Sequence, residues 1–323
     1  MTIEYKKISG IDKKVSQIFY GTAADPFFSG EGGEELLDEI YALGVNAFDT
    51  ARVYKLSEKA LGTWIDKRGI REDVVVLSKC AHHDEETFRK RLNEKEIRED
   101  LSTSLELLKT DYIDIYLMHR DDTDVPVGKI AEIFTALYEE GKIKCYGGSN
   151  WSHKRIEEIN NYANAHGLLE MSVSSPNFGL AEQVTDLWGG GAISISGPDN
   201  TEAREWYIRN QMPVIAYSSL GRGFFSGKLK STDEVDPSVV LDEFAMKGYV
   251  SKDNFKRLKR CEELAQKKGV GVSDIAMAWL YHQPLNTFAI VSTSKAERMR
   301  NNINAISLKL TQDELDYLDL KMK

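Results

Sequence analysis

Tyr112-Ile113-Asp114-Ile115-Tyr116-Leu117-Met118-His119 is an apolar, β-branched run that ends in an imidazole. Its length and composition suit a strand inside a parallel sheet, where both faces are covered. Two other stretches read the same way and end in different ionisable residues: Val74-Val75-Val76-Leu77-Ser78-Lys79 and Val45-Asn46-Ala47-Phe48-Asp49. Tyr54 stands five residues beyond Asp49. Parallel strands would gather Asp49, Tyr54, Lys79 and His119 at their C-terminal ends. On an eight-stranded α/β barrel that face carries the active site, so the four residues read as chemistry and not as packing.

Outward from these runs, strand and helix alternate along the chain. Lys6–Ile8 and Lys14–Gln17 flank Gly10-Ile11-Asp12-Lys13, a hairpin pattern ahead of the main fold that would close the bottom of a barrel. Eight strands are expected at Ile18–Thr22, Asn46–Asp49, Val74–Lys79, Tyr112–Met118, Cys145–Gly148, Met171–Val173, Pro213–Tyr217 and Thr287–Val291. Helical periodicity fills the gaps, as in Ile97, Leu101, Leu105 and Leu108 along Asn93–Leu108. With no linker to break the pattern, residues 1–323 read as one (β/α)8 barrel domain. A doubly wound open sheet is disfavoured, because Gly21-Thr22-Ala23-Ala24 after the first strand has one glycine instead of a glycine-rich fingerprint. Trp188–Pro198, with its Gly189-Gly190-Gly191 triplet, reads as a surface loop near the barrel mouth. Ser231–Tyr249 reads as an irregular flap or surface connection.

Composition narrows the function classes. The chain has 323 residues, 41% hydrophobic and 29% charged, which is ordinary for a soluble globular protein. A net charge of −9 argues against nucleic acid or an anionic membrane as the main partner. No run is long and apolar enough to span a membrane. No apolar segment follows Met1–Lys7, so no signal peptide and a cytoplasmic setting are expected. Three scattered cysteines, Cys80, Cys145 and Cys261, point to a reducing compartment without a disulfide framework or a cysteine metal cage. His82-His83-Asp84-Glu85 invites a metal reading, but adjacent loop histidines rarely converge on one ion. No metal is expected.

A phenol titrates near pH 10, so at neutral pH it can give a proton to an alkoxide forming from a carbonyl. An adjacent ammonium lowers its pKa, and an aspartate keeps that ammonium charged and oriented. Lys79 and Asp49 suit those roles, and His119 could direct the carbonyl oxygen toward Tyr54. Such acid assistance reduces nothing without a hydride source, so a nicotinamide is implied.

The motifs then match a family. Phe48-Asp49-Thr50-Ala51 with Tyr54, Leu61-Gly62, Ser78-Lys79, Asp114–His119, Gly141-Lys142-Ile143, Gly148-Ser149-Asn150 and Ala216–Gly223 resemble, in order, those of the aldo-keto reductases. The resemblance runs from about Tyr20 to Leu318. It implies an NADPH-preferring barrel that reduces a small carbonyl compound, with Asp49, Tyr54, Lys79 and His119 as the tetrad and Tyr54 as proton donor. NADH stands as a second cofactor. Gly21, Thr22 and Ala23 match the turn beside the nicotinamide, Ser149 and Asn150 the pair holding its carboxamide, and Tyr217 the stacking aromatic. Ser218, Leu220, Gly221 and Arg222 fall where the family holds the pyrophosphate. Ser292-Thr293-Ser294, Arg298 and Asn302 match the site for the adenosine 2′-phosphate and adenine, where a guanidinium beside hydroxyls suits a phosphate dianion.

This chain also departs from the family. Ser292 stands where many members carry lysine, which would loosen the phosphate grip. Ser175 replaces the usual glutamine, leaving a shorter arm toward the carboxamide. Arg120-Asp121-Asp122 follows His119 where a Trp-Pro pair is common, so a more polar pocket and a polar, sugar-like substrate are expected, with Arg120 and Trp151 lining it. The chain stops soon after Lys309–Leu320, which suggests an open mouth. A homo-oligomer is allowed for. Two other readings stand beside the reductase: an NADPH-binding sensor or regulatory barrel with little turnover, and a metal-dependent isomerase or hydrolase built on His82, His83 and Asp84.

Overall fold

A computed structural model describes residues 3–188, 190–232 and 236–322. Gly189 of the glycine triplet and Asp233, Glu234 and Val235 of the expected flap lie outside the described residues. Among the described residues, ten strands form in chain order: β1 Tyr5–Lys6, β2 Val15–Ser16, β3 Ile18–Gly21, β4 Ala47–Asp49, β5 Val75–Cys80, β6 Ile113–Met118, β7 Ile143–Ser149, β8 Val173–Ser175, β9 Val214–Ala216 and β10 Thr287–Val291. Strands β3 to β10 close into a barrel in sequence order, β10 pairing with β3, and all neighbours run parallel. The open-sheet alternative is thereby excluded.

The helices are α1 Glu34–Ala42, α2 Ser57–Arg68, α3 Glu94–Leu108, α4 Val127–Glu139, α5 His153–His166, α6 Thr201–Asn210, α7 Pro237–Val240, α8 Glu243–Tyr249, α9 Lys252–Lys268, α10 Val272–Tyr281, α11 Ala296–Asn304 and α12 Gln312–Leu318. Several start where a polar side chain caps a free backbone N–H: Asn93 for α3, Ser152 for α5, Ser251 for α9 and Thr311 for α12. Gly62 sits where α2 crosses α3; a Cβ there would fall 2.4 Å from the Leu107 carbonyl oxygen, so this close approach needs glycine.

Side-chain alternation divides each barrel strand between two cores. The outward set, including Tyr20, Phe48, Val76, Tyr116 and Tyr146, packs with the helices. The inward set, Phe19, Ala47, Val75, Leu77, Ile115, Leu117, Cys145, Val173, Ile215 and Phe288, fills the barrel interior. The antiparallel β1–β2 hairpin adds Ile8, Ile11 and Val15 to that interior cluster, closing the bottom as the sequence suggests. Lys13 fastens the hairpin: its Nζ reaches the Val74 carbonyl at 2.7 Å and Asp114 Oδ1 at 2.9 Å, and Arg71 holds the other Asp114 oxygen at 2.8 Å.

Two sequence readings need correction. The sixth barrel strand lies at Val173–Ser175, two residues beyond Met171–Val173, because pairing with Gly147, Gly148 and Ser149 fixes its register. Ser231–Tyr249 is not wholly irregular: Asp236 caps α7 through the Ser238 N–H, and Asp242 caps α8 through the Ala245 N–H.

Candidate active site

Continuing the inward alternation by one more residue brings Asp49, Lys79, Ser149 and Ser175 to the top of the barrel, with Gly21 on the neighbouring strand. His119 and Tyr217 follow just past β6 and β9. The same periodicity that builds the apolar interior therefore delivers the polar ring above it.

Lys79 is 3% exposed and anchors the ring. Its Nζ pairs with Asp49 Oδ1 and donates to the Thr50 carbonyl at 2.9 Å and to the Tyr54 hydroxyl at 3.4 Å. Tyr54 is half-buried and reaches this position on the loop after β4, which the Arg52 N–H ties to the Lys79 carbonyl at 3.0 Å. Its ring meets the His119 ring edge-on, with centroids 5.7 Å apart. The four candidate catalytic residues are therefore neighbours.

Their electrostatics follow from burial and pairing. Burial pushes the Tyr54 phenol above its ordinary value, with the Lys79 ammonium pulling the other way but losing. Burial alone would lower Lys79, but Asp49 and Tyr54 outweigh it and hold the ammonium charged. Burial, reinforced by Lys79, drives His119 well below the usual imidazole range, so it is neutral at pH 7. Its Nδ1 is sealed from solvent and hydrogen-bonds nothing among the described residues.

Beneath the tetrad, Asn150 adopts φ 60° and saturates its amide. Nδ2 donates to the His119 carbonyl and to Ser149 Oγ, both at 3.2 Å, while Oδ1 accepts from the Tyr217 hydroxyl at 2.7 Å and the Ile193 N–H at 3.2 Å. Ser149 Oγ donates to the Ser175 carbonyl at 3.0 Å. Ser175 Oγ is buried and has no partner among the described residues. Thr22 Oγ1 is committed to the Asp49 carbonyl at 3.0 Å, and Ala23 is exposed on the rim.

The expected nucleotide segments line up from this ring outward. Ser218 and Arg222 take positive φ, 52° and 51°, around the turn Leu220-Gly221. Arg222 pairs with Asp242 at 2.7 Å and lies near the Trp188 and Phe244 rings, at 5.9 and 5.3 Å. Ser292 and Ser294 are exposed beyond β10, with Thr293 half-buried between them. Exposed Arg298 stands in the first turn of α11, whose N-cap, Lys295, supplies no capping side chain. Free N–H groups at a helix start, with a guanidinium beside them, make an anion site. Asn302, one turn on, is 4% exposed.

Trp151 does not line the mouth. It is fully buried, its Cγ lies 2.4 Å from where a Gly148 Cβ would stand, and Arg155 lies over its ring at 5.6 Å. Gly148 shares the outward phase with Tyr146, so Trp151 packs on the outside of the barrel wall. Neither is the pocket polar in the way Arg120-Asp121-Asp122 suggests. Asp121 turns to Arg155 at 3.4 Å and Asp122 to Lys90 at 2.7 Å, leaving Arg120 alone near the tetrad.

Two residues reach the site without having been singled out for it. The His82 ring meets His119 edge-on at 4.8 Å, and burial pushes its pKa down to about 4. Trp188 stands edge-on to Tyr217 at 5.8 Å. In sequence, His82 stands in the metal reading with His83 and Asp84, and Trp188 opens the loop placed near the barrel mouth. A cavity of about 500 Å³ opens beside His82, lined also by Arg52, Val53, His83, Asp84 and Arg91. Among the described residues, no three His, Cys, Asp or Glu side chains are placed to hold a metal ion, and no helix is long and apolar enough to cross a membrane.

Known proteins resemble this chain in sequence and fold. The chain is 26% identical over 307 residues to "Aldo-keto reductase str7" of Strobilurus tenacellus, covering 92% of this chain and 82% of that one. It is 24% identical to "Uncharacterized oxidoreductase YrpG" of Bacillus subtilis, over 98% and 95% of the two chains. It is also 24% identical to a "Putative voltage-gated potassium channel subunit beta" of Schizosaccharomyces pombe, over 95% and 89%. The crystal structure of the thermostable aldo-keto reductase Tm1743 has the same fold, with TM-score 0.72 and 22% identity over 98% of this chain and 99% of that one. The sequence model described as "Aldo/keto reductase family" matches residues 17–323, and the chain accordingly belongs to that family of NAD(P)H-dependent oxidoreductases.

Proposed function

We propose that the protein reduces an aldehyde or ketone to an alcohol, with Tyr54 as the general acid. The observation that carries this reading is the contact of the Tyr54 hydroxyl with Lys79 Nζ, itself paired with buried Asp49, beside a neutral His119. When bound, a reduced nicotinamide supplies the hydride that the carbonyl carbon receives.

The side chains supply the rest. Neutral His119 donates a hydrogen bond to the carbonyl oxygen and turns it toward Tyr54. As the C–O π pair moves onto oxygen, the Tyr54 phenol transfers its proton there, which its raised pKa keeps available at neutral pH. The tyrosinate left behind is stabilised by the Lys79 ammonium, which Asp49 keeps charged and fixed. The apolar cluster below and the Trp188 ring at the rim limit water around this exchange.

The residues present fit a phosphorylated dinucleotide. The unpartnered Ser175 hydroxyl faces the inner end, and the uncapped start of α11 with Arg298 offers anion donors at the outer end. We assign Gly21, Thr22, Ala23, Ser149, Asn150, Ser175 and Tyr217 to the nicotinamide half, although Asn150 must release one of its four bonds to hold a carboxamide. Ser218, Leu220, Gly221 and Arg222 would hold the pyrophosphate, and Ser292, Thr293, Ser294, Arg298 and Asn302 the adenosine end. Arg298 and α11 favour NADPH over NADH, and Lys295 offsets the absence of a cation at Ser292.

The test is turnover of a carbonyl panel with both nucleotides, repeated with Tyr54→Phe. Loss of about 10² to 10⁴ in kcat with nucleotide affinity nearly unchanged is expected; undiminished turnover removes Tyr54 from the role. The relative named as a potassium channel subunit favours a second reading, a nucleotide-sensing barrel. Tight NADPH binding without turnover of any carbonyl compound would select it.

A further inference from the structure

We propose that Arg120 is the receptor for an anionic group on the substrate, so that the carbonyl compound reduced at Tyr54 carries a carboxylate or phosphate away from its reacting carbon. This rests on the reductase reading and names its substrate class.

Arg120 is 8% exposed, and its Nε and Nη1 are sealed from solvent without a hydrogen-bond partner among the described residues. The acids beside it in sequence are spent elsewhere, Asp121 on Arg155 and Asp122 on Lys90. The acid whose field reaches it, Asp186, uses its two oxygens on the Trp188 and Ala192 N–H groups, at 3.2 and 3.0 Å. The guanidinium lies 6.0 Å from the Trp188 ring, and its charge is felt at Tyr54, Tyr217, His82, His83 and His119. Those are the groups around the reacting position.

A buried cation without a counter-ion is costly, and burial accordingly lowers the Arg120 pKa. Replacing such a charge with an apolar side chain of similar volume is commonly neutral or stabilising, so the fold itself does not need it, and a ligand that completes the pair accounts for it. A planar fork of donors matches a carboxylate or a phosphate in two parallel hydrogen bonds. Arg120 directly follows His119, so an anion held there fixes the substrate while His119 and Tyr54 address its carbonyl oxygen.

The experiment compares kcat/KM with NADPH for two matched pairs: succinic semialdehyde against butanal, and phosphoglycolaldehyde against glycolaldehyde. The native protein should prefer an anionic member by tenfold or more, and the favoured pair tells carboxylate from phosphate. Arg120→Met should abolish the preference mainly through KM, and Arg120→Lys should restore part of it, since a point charge replaces the fork. Equal turnover within both pairs, or a preference that survives in Arg120→Met, overturns the proposal. A second readout needs no turnover: succinate or inorganic phosphate should raise the melting temperature of the native protein and not of Arg120→Met, while succinamide should affect neither. Failure of all carbonyl compounds to react would remove the reductase reading, whereas a melting shift that ignores Arg120 would remove this one.

Discussion

The lower and upper halves of the barrel interior are made by the same side-chain alternation on the same strands, yet they are opposites. Below lie Phe19, Ala47, Val75, Leu77, Ile115 and Phe288 with the hairpin residues Ile8, Ile11 and Val15, a packed core without charge. Above, within two residues on each strand, come Asp49, Lys79 and His119. The lower half is held by burial of apolar surface, and its parts are interchangeable within limits of volume. The upper half is held by reciprocal pairing, where removing one member leaves its partner buried and charged. Stability and the proposed chemistry are thus stacked along one axis, and each can be perturbed with the other as control.

The largest effects are expected at the centres of the two halves. Lys79→Met should cost about 3–5 kcal/mol of stability, because Asp49 is left buried without its cation, and should also cut kcat by at least tenfold. Phe19→Ala should cost a similar ~3–5 kcal/mol through the cavity it leaves, while kcat/KM at a temperature where the protein stays folded changes little. Chemical denaturation paired with steady-state kinetics separates the two; turnover that falls as steeply in Phe19→Ala as in Lys79→Met would erase the division.

A smaller effect is expected at the outer edge of the upper half. Arg298→Ala should weaken NADPH about tenfold and NADH by no more than about twofold, since only the former carries the phosphate that a guanidinium would pair. Fluorescence titration of both nucleotides measures this, and equal losses would take Arg298 out of the phosphate site.

The smallest effect concerns acid. His82 is pushed down to about 4 when folded, against about 6.5 in an unfolded chain, so between those values the unfolded state binds more protons. Stability from this group is present above pH 6.5 and is lost as pH falls toward 4. Partial solvent access limits the loss to about 1 kcal/mol at pH 5. His82→Asn should flatten the fall in melting temperature between pH 7 and pH 5; an unaltered slope would place the acid sensitivity elsewhere, for example at His119.

The convergence of the four candidate residues could be read from sequence because each ends, or follows closely, a continuous apolar run, and a parallel sheet leaves such ends nowhere to go but one face. Other features depended on contacts that no local pattern records. The β8 register is set by pairing with β7, not by its own short run. Helices α7 and α8 are brief, and their caps at Asp236 and Asp242 resemble ordinary loop acids. In sequence Arg120-Asp121-Asp122 reads as a polar lining for the pocket, but the chain's exit from β6 sends Asp121 to Arg155 and Asp122 to Lys90. Trp151, adjacent to Asn150, ends up on the opposite side of the wall from it, as neighbouring residues leaving a strand often do.

The match to the family begins at residue 17, just after the small hairpin, yet Ile8, Ile11 and Val15 belong to the innermost cluster and Lys13 is tied to Asp114. A chain trimmed to that boundary would lose the floor of its own barrel. Water would enter beneath Phe19 and Phe288, and Asp114 would keep only Arg71 as its cation. The segment ahead of the matched family model is therefore a structural plug of this barrel.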